Sequence, residues 1–109
     1  MAKMTDELGM KCFQIVAQVG AARSYYINAI QCAKEGKFED AERMIKEGDV
    51  SFNQGHTEHT SLLSMEASGE LDGSGLLLIH AEDQLMSAEG FRIIAEEFID
   101  VYKRLNVLA

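Results

Sequence analysis

LGMKCFQIVAQVGAARSYYINAIQCA, residues 8–33, decides the fold. Leu8, Cys12, Ile15, Val19, Ala22, Tyr26, Ala29 and Ala33 recur in it at alternating steps of four and three. That spacing puts one apolar seam along a helix of at least seven turns, packed on neighbours over its whole length. Asp6 and Glu7 just ahead suit the positive end of a helix dipole, and Thr5 is the expected N-cap. Working outward, the next stretch carries Phe38, Ala41, Ile45, Gly48, Phe52, Gly55, His59 and Leu62 at the same spacing, with Glu39 and Asp40 in its first turn. Gly48 and Gly55 each weaken a helix interior by about 1 kcal/mol relative to alanine, so they mark a bend or a close approach of a neighbouring backbone. A third stretch, from about Leu76 to Leu105, has Phe91, Ile94, Phe98, Val101, Leu105 and Leu108 on one stripe. Projected backwards by heptads, this stripe turns polar at Ser87, Gln84 and His80 before reaching Leu77, so its upper half serves something other than core burial.

Two breaks separate the three stretches: Lys34 to Lys37 around Gly36, and the glycine-rich run from Ser68 to Gly75. The expected architecture is all-α, a three-helix up-down-up bundle forming a single domain over residues 1–109. With 47% hydrophobic and 26% charged residues the chain has the composition of a folded protein. The absence of proline and tryptophan, with only 7% aromatics, excludes an all-β fold. Further apolar positions such as Phe13, Tyr25, Ile27, Leu63, Met86 and Ile93 exceed what one stripe per helix can bury, which predicts packing against identical subunits.

Charge narrows the function. Ten basic residues against 18 acidic ones leave a net charge of −8, which repels nucleic-acid phosphates and anionic lipid. The longest aliphatic run is Leu76 to Ile79, too short for insertion into a membrane, and the N-terminal residues carry no apolar signal region. Cys12 and Cys32, some 30 Å apart if both lie mid-helix, read as reduced thiols and fit a cytoplasmic protein.

The chemistry concentrates in His80-Ala-Glu-Asp83-Gln84-Leu-Met86. His80, Asp83 and Gln84 share one helix face at i, i+3 and i+4, gathering an imidazole, a carboxylate and an amide. A neutral imidazole is nucleophilic near pH 7 and can accept and return a phosphoryl group. His56 and His59, also at i, i+3, lack a third local ligand, and capping or interhelical hydrogen bonds are the expected use of that pair. Met10, Met44, Met65 and Met86 have core spacing and require no cofactor.

Three ordered stretches give the chain a resemblance to a known family: Phe13-Gln-Ile-Val-Ala17 with Gly20, Ala22, Arg23 and Ser24; Leu63-Ser-Met-Glu-Ala67-Ser68-Gly69-Glu; and Ile79-His80-Ala-Glu-Asp83-Gln-Leu85-Met86. It resembles the lactose/cellobiose-type enzyme IIA family of the bacterial phosphoenolpyruvate-dependent sugar phosphotransferase system. The resemblance implies a homotrimer of nine helices in all. His80 would take a phosphoryl group from the carrier protein HPr and pass it to a cysteine of a sugar-specific IIB partner. That partner works beside a IIC permease, for uptake of a lactose/cellobiose-class disaccharide. It also implies one Mg²⁺ per trimer, held through Asp83 at the axis. Leu77, Leu78 and Met86 are then the expected apolar docking residues, with Glu82 and Gln84 supporting the site. Four positions depart from the family's usual residues: Glu82 and His59 where glutamine is usual, Gln84 where histidine is, and Gly55 where alanine is.

Two other readings compete. The histidine phosphotransfer module of signalling pathways is also a helical bundle, but it usually has lysine three residues after its histidine, where Asp83 stands here. A non-catalytic helical oligomer, acting as a structural or regulatory interaction protein, would need only the long seams.

Overall fold

The computed structural model describes residues 6–70 and 75–108; Thr5, the expected cap, and Gly73 and Ser74 of the glycine-rich connection lie outside the described residues. Three helices, α1 (Asp6–Lys34), α2 (Phe38–Ala67) and α3 (Leu76–Leu108), form an up-down-up bundle 62 × 18 × 17 Å, with no strand among the described residues. The first two helices end alike. At the end of α1, Gly36 adopts φ 79°, Gly36 N–H donates to the Ala33 carbonyl (3.0 Å) and Lys37 N–H to that of Cys32 (2.9 Å). At the end of α2, Gly69 takes φ 78°, with Gly69 N–H on Glu66 (3.1 Å) and Glu70 N–H on Met65 (2.8 Å). Both are Schellman caps, in which a left-handed glycine turns the chain and satisfies carbonyls that the helix leaves open.

The eight seam residues of residues 8–33 are the buried residues of α1. In α2, Ala41, Ile45, Gly48, Gly55 and Leu62 of the expected seam are buried, with Phe38, Phe52 and His59 at its partly buried edges. α1 packs along both other helices, whereas α2 and α3 meet only sparsely. The core has two halves. Leu8, Cys12, Ile15 and Val19 meet Leu62, Ala81, Leu85 and Ala88 above; Ala22, Tyr26, Ala29 and Ala33 meet Ala41, Ile45, Ala95 and Ile99 below.

The glycines of α2 permit close approach. A Cβ on Gly55 would stand 2.7 Å from Val19 Cγ1, and one on Gly48 would stand 2.5 Å from Tyr26 Cε1. The Tyr26 ring is fixed at its far end, where its hydroxyl donates to Asp49 Oδ1 (2.7 Å). Arg92 reaches the same carboxylate from α3, with Nε on Oδ1 (2.6 Å) and Nη2 on Oδ2 (3.0 Å). Hydrogen bonding from Arg92 outweighs the opposing effect of burial and holds the Asp49 carboxyl below its usual range. Gly48→Ala is therefore expected to lower stability by up to about 2 kcal/mol. An added Cβ 2.5 Å from a fully buried, tethered ring falls in the upper part of the about 1–3 kcal/mol range of overpacking, above the ~1 kcal/mol that alanine gains in helix propensity. A urea unfolding midpoint equal to or above that of the unmodified chain would show that the ring yields.

The third seam differs from expectation. Ala81, Leu85, Ala88, Ala95 and Ile99 face the core, while Ile94, Phe98, Val101, Leu105 and Leu108 are exposed and Phe91 is only partly buried. The buried stripe is the expected one shifted by a single residue, about 100° round the helix. Both stripes have the required period. The inner one is chosen because its alanines let α3 approach α1 closely, whereas the bulkier stripe would hold the helices apart.

Candidate functional site

α3 starts at Leu76, where the Gly75 carbonyl accepts the Ile79 N–H (3.2 Å). His80 stands in its second turn. Ala81 beside it is 1% exposed and Leu85 5%, so these two residues anchor the turn to the core and leave His80 on the outer face. His80 has no hydrogen-bond or ion-pair partner among the described residues, so its ring nitrogens are open to an incoming group. It lines a shallow concavity of about 590 Å³ with Leu76, Leu77, Ile79 and Asp83. An exposed imidazole in an apolar-walled hollow can meet the reactive group of another protein without a deep pocket.

The other expected site residues scatter around this point. Asp83 shares the hollow with His80 but does not hydrogen-bond to it. Leu77 lines the hollow, whereas Leu78 packs with Leu77 against the upper core. Met86, 64% exposed, lies on the Asp83 side one turn further on, and Gln84 is partly buried. Leu76 and Ile79, 82% and 65% exposed, were not among the expected docking residues. Their signal was present in the apolar run Leu76 to Ile79, read above only as too short to cross a membrane.

Glu82 is partly exposed and bonded across the bundle. Its Oε1 is 2.5 Å from Nε2 of His59 on α2, the interhelical hydrogen bond expected of the histidine pair. The His59 side chain is 12% exposed and its Nδ1 is buried without a partner, which assigns the proton to Nε2: a proton on Nδ1 would be a buried donor with no acceptor. His56 is exposed and stacks on Phe52 at 6.2 Å between ring centroids. Burial, and next the Glu82 charge, push the Cys12 thiol up. Thus two of the four departures from the usual family pattern, His59 and Glu82, bond to each other, and a third, Gly55, makes room for Val19.

Residues 10–103 match the model of the family described as the lactose/cellobiose-specific IIA subunit of the phosphotransferase system. The chain belongs to this IIA family. It is 33% identical over 107 residues to the oligo-β-mannoside-specific EIIA component of Bacillus subtilis (strain 168), covering 98% of this chain and 96% of that one. It is 37% identical over 94 residues to the galactose-specific EIIA component of Lactococcus lactis subsp. cremoris, covering 86% and 81%. The cellobiose-specific enzyme IIA from Bacillus anthracis superposes on the IIA chain with a TM-score of 0.92 at 38% identity, covering 97% and 96%. The IIA(chitobiose) component in solution structures of its complex with HPr gives a TM-score of 0.81 at 26% identity, covering 94% and 99%. No helix among the described residues is long and apolar enough to cross a membrane.

Proposed function

We propose that the chain is a cytoplasmic phosphoryl carrier of a sugar phosphotransferase system, with His80 as the residue that carries the group. The observation behind this reading is an unpartnered, exposed imidazole in an apolar hollow on a IIA chain. A solved relative is named for its complex with HPr, which supports HPr as the donor. In the first transfer a bare ring nitrogen of His80 gives its electron pair to phosphorus. The P–N bond to the donor's histidine breaks and its pair returns to the donor ring. In the second, a cysteine thiolate of a IIB partner forms the P–S bond, the P–N bond at His80 breaks, and the neutral imidazole is restored. The sugar follows from the IIB and IIC partners, and a lactose/cellobiose-class disaccharide is the proposed cargo.

The test is incubation with phosphoenolpyruvate, enzyme I and HPr, followed by intact mass. Gain of one acid-labile phosphate supports the carrier, while an unmodified mass leaves the helical oligomer as the better reading.

The exposed stripe of α3 supports a homotrimer with this face at its centre. A magnesium site is not complete within one chain: among the described residues no group of three or more His, Cys, Asp or Glu side chains could hold an ion. Asp83 is exposed and without a partner between Ile79 and Met86, so three copies about an axis would bring three hard oxygen donors together. The ion would offset the mutual repulsion of these carboxylates. Asp83→Leu should make the assembly indifferent to chelator and raise its stability by about 1–4 kcal/mol, since apolar packing often outperforms a buried charge cluster. Melting with and without chelator checks this; equal chelator sensitivity in both proteins would place the metal elsewhere.

A further inference from the structure

We propose that Glu97 forms a ring of carboxylates on the axis of the proposed trimer, and that this ring links association of the subunits to proton uptake, so that the trimer tightens as pH falls. The proposal rests on the homotrimer reading with Asp83 at the axis. Glu97 follows Asp83 by two heptads, or 14 residues. That interval falls only about 40° short of four whole turns, and slight left-handed winding of neighbouring helices closes the gap. An axis that meets Asp83 therefore meets Glu97 about 21 Å further along α3. Two features of the single chain agree with this line. Ile94 and Val101, three residues before Glu97 and four after it, are each 47% exposed, so the apolar strip that assembly covers encloses the carboxylate. Gly90 lies midway between Asp83 and Glu97, and a Cβ there would meet nothing of its own subunit within 4 Å. The single chain does not require this helix-weakening residue, whereas helices crowding an axis favour one without a side chain.

Glu97 is exposed and has no hydrogen-bond or ion-pair partner among the described residues. The charged groups around it are engaged elsewhere. Arg104, one heptad below, donates to Asp100 Oδ2 of its own helix (3.1 Å), Glu96 pairs with Arg92 (3.4 Å), and Arg23 of α1 stacks over Phe91 at the flank of the strip. α2 meets α3 through Glu82, Arg92 and Lys103, none of them on the strip. His80 and Asp83 stand two heptads or more above. Trimer formation thus gathers three unpaired carboxylates between apolar layers, where like charges favour the retention of protons. Association proceeds against their repulsion near neutral pH and is relieved of it in acid.

The experiment is sedimentation equilibrium of the full chain from about pH 7.5 to about pH 5.5, for the unmodified protein, Glu97→Gln and Glu47→Gln. Glu47 is an exposed acid of α2, so its variant controls for net charge. The dissociation constant of the unmodified trimer should fall at least about tenfold over this range, since each proton taken up on association changes it about tenfold per pH unit. Glu97→Gln keeps the volume and removes the charge. It should associate about tenfold or more tightly than the unmodified chain at about pH 7.5 and lose this part of the pH dependence, whereas Glu47→Gln should keep it. Titration of His80 and Asp83 is common to the three proteins and cancels in the comparison. Equal pH dependence in the unmodified and Glu97→Gln proteins overturns the proposal. So does a weaker Glu97→Gln trimer, which would show that Glu97 makes a favourable contact with the next subunit. An advantage of Glu97→Gln that appears only with chelator would give the ring a cation in place of protons and overturn it as well. A chain that stays monomeric at every pH refutes the trimer itself, whereas a trimer with the wrong slope refutes only the role of Glu97.

Discussion

His80→Gln should lose all phosphoryl labelling while melting within about 0.5 kcal/mol of the unmodified chain. The side chain is exposed and makes no bond within the subunit, so its replacement by another polar group removes no packing and strands no partner. The amide nitrogen of glutamine has no available lone pair comparable to that of an imidazole, so it cannot form the phosphoramidate bond on which the relay depends. The other histidines offer no substitute. His59 is nearly buried with its exposed side committed to Glu82, and His56 stacks on Phe52 outside the apolar hollow. Intact mass after incubation with phospho-HPr checks the result. Labelling that persists in His80→Gln and disappears on changing His56 or His59 would move the reactive residue to α2.

Val101→Glu should convert the proposed trimer into monomers at micromolar concentration. Ile94, Phe98, Val101 and Leu105 lie on one face of α3 and are 43–53% exposed in the single chain, an apolar strip continuous over several turns. In the proposed assembly three such strips meet. A glutamate at the middle of each would bury three like charges in apolar surroundings, and every 1.4 kcal/mol of that penalty weakens association about tenfold. The helix itself should survive, because Val101 is outside the chain's own core and glutamate is a good helix former. Light scattering distinguishes the states. A monomeric unmodified chain at micromolar concentration would rule the arrangement out.

The seams of α1 and α2 were legible because in each the three-four spacing keeps one register from end to end, interrupted in α2 only by glycines and His59, and that register is the one that is buried. α3 was not legible in the same way. It carries two apolar stripes side by side, and periodicity cannot tell which faces its own chain and which is left for something else. The side-chain volumes make that choice: alanines at 81, 88 and 95 go inward, while the larger residues at 94, 98, 101 and 105 remain outside.

His80 stood out through residue type and spacing. The Glu82–His59 bond did not, because it depends on the register of two antiparallel helices, a long-range quantity that neither local pattern contains. A cue was nevertheless available. His59 lies eight residues before the end of α2 at Ala67 and Glu82 six after the start of α3 at Leu76, similar heights on either side of the second connection.

The unequal packing of the helices bears on the order in which the chain folds. α1 and α2 are joined by only three residues and share a long contact, so their pairing closes a very short loop at little entropic cost. α3 is expected to join this hairpin afterwards, because it packs chiefly on α1 and those contacts span greater sequence separation. The helix bearing His80 is thus the part of the single chain expected to dock last and to open first in local unfolding. Assembly through its outer stripe would secure that same helix from its other side, so formation of the proposed trimer and ordering of the phosphoryl-accepting turn would be thermodynamically coupled.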